Sequence, residues 1–189
     1  MTKALDFTSG YASRRPPMMG RNAVASSQPL AAQAGMKMLQ LGGNAVDAAI
    51  ATAMALTVVE PTGNGIGSDA FAIVWDGEKL HGLNASGRSP ASWHADLFAG
   101  KTAVPEIGWD AVTVPGAVSG WVALAERFGT LPLTTLAQPA IDYARNGFPV
   151  SPLIGHLWQR GYSKLKDQPG FSACFAPEGR APRVGEILA

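Results

Sequence analysis

The sequence predicts an α+β fold, and three observations carry the prediction. Two consecutive helical patterns fill residues 24–59, the second apolar on every face. Two period-two segments then meet at Asp76–Gly77, a strong hairpin signal. Helical patterns return from Gly116 onward and dominate the remainder.

Taken in order, residues 1–22 are polar and proline-rich with no sustained period, and read as an irregular arm. Residues 23–189 form the ordered portion. In "VASSQPLAAQAGMKMLQLGGN", Ser27, Gln28 and Pro29 start a helix, Leu30, Ala34, Met38 and Leu41 supply its apolar stripe, and Gly42–Gly43 stop it. Asn44 caps the second helix. Asp47, three residues later, places a carboxylate where the helix dipole is positive. Because Ala45 to Leu56 offers no polar face, this helix is expected to be covered on all sides, its alanines admitting close neighbours. "AFAIVWDGEKLHGLNAS" then gives two strands. A short strand is expected around Val112, a helix in "GAVSGWVALAERFG", and one broken or two consecutive helices in "LPLTTLAQPAIDYARNG", interrupted at Pro139. Ser151–Pro152 opens a further helix to about Lys166, beyond which the chain reads as irregular.

Composition narrows the function classes. The 189 residues carry 15 Lys plus Arg against 14 Asp plus Glu, a net charge of +1 with no basic run, which argues against nucleic acid as a partner. Hydrophobic residues make up 47%, enough for a core, while 22 glycines and 14 prolines imply many sharp connections. Cys174 is the single cysteine; it excludes an internal disulfide and reads as a buried free thiol. The N-terminus lacks a secretory apolar stretch, which points to a cytoplasmic location. The longest apolar stretch, Ala45 to Val59, is shorter than the ~20 residues a membrane span needs, so no membrane partner is expected.

The loop "GNGIGSDAF" joins the apolar helix to the first strand. Gly63, Gly65 and Gly67 invite a dinucleotide-binding reading, but that fingerprint follows a strand and opens a helix, the reverse of the order here. Two readings stay open. The glycines supply positive φ and tight packing in a turn, or they let backbone approach a substrate or a nucleophile supplied elsewhere, with Ser68 and Asp69 the nearest polar groups. "GKT" at 100–102 lacks the glycine a phosphate loop requires, having Ala95 there. His81, His94 and His156 are widely spaced without cysteine partners, so no metal is expected. "GAVSG" around Ser119 has the wrong spacing for a nucleophile elbow. Removal of Met1 would expose Thr2 as an N-terminal nucleophile, but on an arm unsuited to preorganise a site. Arg88 in "NASGRSPASW" either holds a carboxylate in its planar fork or is a solvated surface arginine.

The blocks "GGNAVDAAIA" through "GIGSDAF", with "GRSP", "VTVPGAVSGW", "FGTLPL", "PAIDYARNGFPVS" and "GRAPRVGEIL", resemble the gamma-glutamyltranspeptidase family from about Val24 to the last residue. The resemblance implies an N-terminal nucleophile hydrolase fold, an αββα sandwich made as a precursor that cleaves itself into large and small subunits. This chain then corresponds to the N-terminal part of the large subunit. The family's threonine nucleophile opens the small subunit, and nothing here matches that segment, so no catalytic residue is expected in this chain and the piece alone should be inactive. The ending "GEILA" breaks off in a motif that continues in the family, implying a truncated chain. No cofactor is implied; the partners are a small-molecule gamma-glutamyl or acyl-amide substrate and the small subunit.

The resemblance also marks departures. The family motif R-E-x-A-P places its carboxylate-binding arginine at Ser86 when Pro90 is aligned, and Arg88 stands two residues later. Where transpeptidases have G-I-G-G-G-G-F, this chain has Gly65, Ile66, Gly67, Ser68, Asp69, Ala70 and Phe71. Substrate-binding candidates are therefore Arg88, Ser86, Ser68 and Asp69, with Gly65 and Gly67 as the pocket loop. Both departures favour acylase-like relatives, including cephalosporin acylases. A non-catalytic binding or assembly module is the alternative from another class.

Overall fold

The computed structural model describes residues 20–188; the Thr2 candidate and most of the N-terminal arm lie outside them. Helix α1 (Pro29–Gln40) starts where the Gln28 side chain accepts the Leu30 N–H, and it ends before Gly42, whose φ of +86° a side chain would resist. The buried stripe is Ala31, Ala34, Gly35 and Met38. Leu41, an expected core position, is 54% exposed because it lies beyond the last helical turn. Helix α2 (Ala45–Val59) carries a full capping box: the Asn44 side chain accepts from Val46 and Asp47, and Asp47 accepts the Asn44 N–H in return.

Helix α2 packs against α1, α3 (Ala117–Phe128) and α4 (Leu133–Asn146). Met38, Ile50, Trp121 and Leu136 form one core around it, while Ala34, Ala55, Val59 and Phe148 form a second. Expected cover on every side is not met within these residues. Ala45 and Ala49 remain exposed and, with Ala53 and Leu56, line a groove of about 720 Å³ against the extended segment 21–27.

The capping carboxylate does a second job. Asp47 is fully buried and also accepts the Thr130 hydroxyl at 2.6 Å and the N–H groups of Thr130 and Leu131, while Asn44 Nδ2 donates to the Phe128 carbonyl. Burial pushes this carboxyl up. The hydrogen bonds from the Thr130 hydroxyl and from the Asn44, Thr130 and Leu131 N–H groups outweigh it and hold the carboxyl below its ordinary value.

Strands β1 (Ala70–Trp75) and β2 (Leu80–Ala85) pair antiparallel, with Trp75 opposite Leu80. The turn between them is fixed by Asp76, whose carboxylate accepts the Glu78 and Lys79 N–H groups, and by Gly77 at φ +105°. The Lys79 N–H, the His81 imidazole and the Glu78 N–H together hold the Asp76 carboxyl far below the usual carboxylate range. His81 in turn meets Arg127 at 3.1 Å and packs on Phe128, stapling the hairpin tip to the end of α3. One sheet face thus rests on α3. Phe71, Ile73, Trp75 and Leu80 on the other face are all more than 60% exposed.

Four further expectations are corrected here. No strand forms at Val112; a 3-10 turn (Trp109–Ala111) precedes an extended run whose one ladder-like bond is from the Val114 N–H to the Arg88 carbonyl, too little pairing for a strand. Helix α4 is continuous through Pro139, whose ring is buried, so packing offsets the lost backbone bond. The segment after Asp167 is not wholly irregular: α6 (Phe171–Phe175) follows α5 (Pro152–Leu165), and β4 (Ile187–Leu188) pairs with β3 (Phe148–Pro149). Cys174 is exposed rather than buried, since α6 turns its aromatic rings, not its thiol, toward Trp158. No helix among the described residues is long and apolar enough to cross a membrane.

Candidate functional site

Where β2 ends, the chain runs against the start of α3, and three glycines make the contact possible. A Cβ on Gly87, which sits at φ +77°, would lie 1.8 Å from the Val114 carbonyl oxygen. One on Gly116 would lie 2.1 Å from the Ala85 oxygen, and one on Gly120 would meet the Ala85 methyl at 2.8 Å. None of these distances is tolerable for real atoms, so the approach of residues 85–87 to residues 114–120 depends on glycine. Between them opens a cleft of about 480 Å³, lined by Asn84, Ser86, Gly87, Arg88, Gly116 and Ser119 among others.

The cleft brings together Ser86 and Arg88, two residues singled out from sequence. Arg88 is exposed, and no acidic group among the described residues lies within ion-pair distance of it. Its guanidinium is the cleft's one lining cation among those residues. Asn84 Oδ1 accepts the Ser86 N–H at 3.0 Å and shapes the bend into the cleft. Ser119 Oγ donates to the Gly116 carbonyl at 2.7 Å, which leaves its lone pairs as acceptors. The α3 N-terminus adds its positive dipole end to the same wall.

Ser68 and Asp69 do not line this cleft, and neither do Gly65 and Gly67. All four belong to the preceding loop, where Ser68 and Asp69 are exposed. The loop touches the cleft wall by one link: the Ser68 carbonyl accepts the N–H groups of Gly116 and Ala117 at 3.1 and 3.0 Å. The loop turns at 65–68 through the Ser68 N–H to Gly65 carbonyl bond, but not by virtue of its glycines. Gly63, Gly65 and Gly67 all lack positive φ, and a Cβ on Gly63 or Gly67 would meet nothing within 4 Å. Of the two open readings, the packing one therefore finds no support among the described residues. Ser119 enters the sequence reading only as a serine with the wrong spacing for a nucleophile elbow, and Asn84 and the Gly87, Gly116 and Gly120 contacts do not enter it at all. The signal available was the four-residue spacing of Gly116 and Gly120, which marks close approach along one helix face.

The model of one protein family, Gamma-glutamyltranspeptidase, matches residues 31–189. The chain belongs to the gamma-glutamyltranspeptidase family. It is 40% identical over 166 residues to a glutathione hydrolase-like proenzyme of Bacillus subtilis, covering 86% of this chain and 32% of that protein. It is 36% identical over 199 residues to an acylase proenzyme from a Pseudomonas strain, covering 98% and 35%. Among solved structures it resembles cephalosporin acylase from Bacillus halodurans, with 51% identity and TM-score 0.81 over 93% of this chain and 36% of that one. Gamma-glutamyltranspeptidase from Helicobacter pylori gives TM-score 0.84 at 28% identity, over 93% and 52%. The α+β fold is accordingly that of the N-terminal nucleophile hydrolases, and the chain carries part of the large subunit. It spans about a third of the length of the curated relatives it matches.

Proposed function

We propose that this chain is the large-subunit part of an amide-cleaving acyl hydrolase or acyltransferase in which the Arg88 cleft holds a carboxylate borne by the acyl group. The observation that carries the reading is the pairing of Ser86 and Arg88 on one cleft, with the guanidinium free of any described acidic partner. A guanidinium grips a carboxylate through two parallel N–H bonds, a match that an ammonium cannot reproduce. The displaced arginine therefore serves the position at which family transpeptidases have theirs, from two residues further along the same wall.

The nucleophile is a threonine outside this chain, at the head of the small subunit. Its hydroxyl oxygen attacks the amide carbonyl while its own α-amine takes the hydroxyl proton. The tetrahedral intermediate collapses, the amine leaves with that proton, and an acyl ester remains until water or an acceptor amine displaces it. This chain orients the acyl group in that sequence. By this reading the piece alone is inactive. Acylase-type substrates fit better than gamma-glutamyl ones, because the arginine is displaced from the transpeptidase position and the loop departs from the transpeptidase glycines.

The test uses the protein expressed from its complete reading frame, assayed on gamma-glutamyl, glutaryl and pentanoyl anilides. Arg88→Ala should raise KM for the carboxylate-bearing amides by roughly 10- to 100-fold, the loss of a charged hydrogen-bonded pair, and leave the pentanoyl amide unaffected. Equal loss on all three, or none on any, sinks the carboxylate role. Absence of turnover on every amide favours the binding-module alternative.

A further inference from the structure

The hydroxyl of Ser68 is turned back on its own loop. Oγ donates to the Gly65 carbonyl at 2.5 Å, the Gly65 N–H points at the same Oγ at 3.3 Å, and the Ser68 N–H donates to the Gly65 carbonyl at 3.2 Å. A serine hydroxyl has one proton to give, and here the loop takes it. Substrate can therefore draw no hydrogen bond from Ser68 without opening the turn.

The backbone of the same residue faces the other way. Its carbonyl accepts the N–H groups of Gly116 and Ala117, two donors at the start of α3 that intrahelical bonding leaves without partners. Gly116 and, one turn on, Ser119 line the Arg88 cleft. Ser68 is thus the joint between the glycine loop and the cleft wall. The α3 side of that joint is also held by the Val114 N–H to Arg88 carbonyl bond and by Gly116 packed on the Ala85 oxygen, whereas on the loop side Gly63 and Gly67 have open space where a Cβ would stand and glycine backbone is otherwise permissive.

We propose that Ser68 is a positioning residue: its hydroxyl locks the turn at 65–68 so that its carbonyl holds the origin of α3, and with it the wall of the Arg88 cleft, in place. The kinetic part of this inference rests on the acyl-site reading above; the structural part does not.

The complete protein is compared with its Ser68→Ala and Ser68→Thr variants by hydrogen exchange and by kinetics on the glutaryl anilide. The threonine methyl is accommodated because this side chain is exposed. In Ser68→Ala, amide exchange across 63–69 and at 116–117 should speed up about 3- to 10-fold, the weight of a hydrogen bond, with a comparable rise in KM and kcat within about twofold. Ser68→Thr should restore both. Unchanged exchange with a fallen kcat would make Ser68 a direct substrate contact and overturn the proposal, as would unchanged exchange with unchanged kinetics. Should the unsubstituted protein cleave none of the amides, the acyl-site reading fails, and the exchange measurement still decides whether Ser68 holds α3.

Discussion

The bundle of α1, α2 and α4 and the hairpin with its following cleft treat polar and apolar groups in opposite ways. In the bundle, Asp47 goes inside and finds a hydroxyl and three backbone N–H groups, and Met38, Ile50 and Leu136 are wholly buried. In the hairpin region, Phe71, Ile73, Trp75 and Leu80 face outward, and Arg88 stands without a described acidic partner. The bundle partners the polar group it buries and leaves the groove beside Ala45 and Ala49 open. The hairpin region leaves both its apolar face and its one cleft cation open, and the candidate site lies there rather than among the better-packed helices.

The sharpest way to break the comparison is at Asp47. Asp47→Ala should destabilise the protein by about 3 kcal/mol or more in denaturant unfolding, since it strands several buried donors at once. A change under ~1 kcal/mol would show that the bundle does not depend on its buried carboxylate. The pH dependence has a definite sign. The folded carboxyl lies below its ordinary value, so it binds fewer protons than the unfolded one. Its contribution is therefore present above the unfolded pKa of about 4 and is lost as pH falls through the depressed folded value. The stability gap between the unsubstituted protein and Asp47→Ala should begin to narrow as pH is lowered from 6 through about 4.

A smaller effect separates the two kinds of glycine. Gly116→Ala forces a methyl into the Ala85 carbonyl and should cost roughly 2 kcal/mol with loss of amide turnover. Gly67→Ala meets open space and should stay within about 0.5 kcal/mol in the same melts. If Gly67→Ala proves as damaging as Gly116→Ala, an element beyond these residues approaches the loop, and the second reading of its glycines gains its first support. The smallest expected effect concerns the sheet face. Purified by itself, the chain should self-associate through that face, and replacing Ile73 and Trp75 by serine should shift light scattering toward monomer by about twofold at micromolar concentration. Unchanged association would place the sticky surface elsewhere, the groove beside Ala45 and Ala49 being the next candidate.

Much of the fold was legible because its signals are local. The Asn44 and Asp47 cap, the Asp76–Gly77 turn and the Ser151–Pro152 start each act within a few residues, and each lies where the pattern put it. What pattern missed is decided at long range. Pro139 stays inside a helix because its ring is buried, and Val112 fails to form a strand because no neighbour among the described residues offers it a ladder. The site divides similarly. Arg88 and Ser86 could be named from a motif, but their shared cleft exists only through Gly87, Gly116 and Gly120, whose necessity shows once residues 85–87 and 114–120 meet. The loop glycines were conspicuous in sequence and proved unconstrained, whereas the inconspicuous ones carry the geometry.

The Asp47 clasp has an evolutionary consequence. Its bonds to Thr130 span 83 residues, and the hairpin, the cleft walls and the long connection between them all lie inside that span. Closing a loop costs entropy that grows only logarithmically, about 0.6 kcal/mol for each doubling of length. Insertions or deletions between Arg88 and Val112 therefore tax the clasp very little. The segment that leads away from the cleft can be recut in length and composition while one carboxylate keeps both flanks of the span anchored to the same helix, so variation there can be sampled without first stabilising the scaffold.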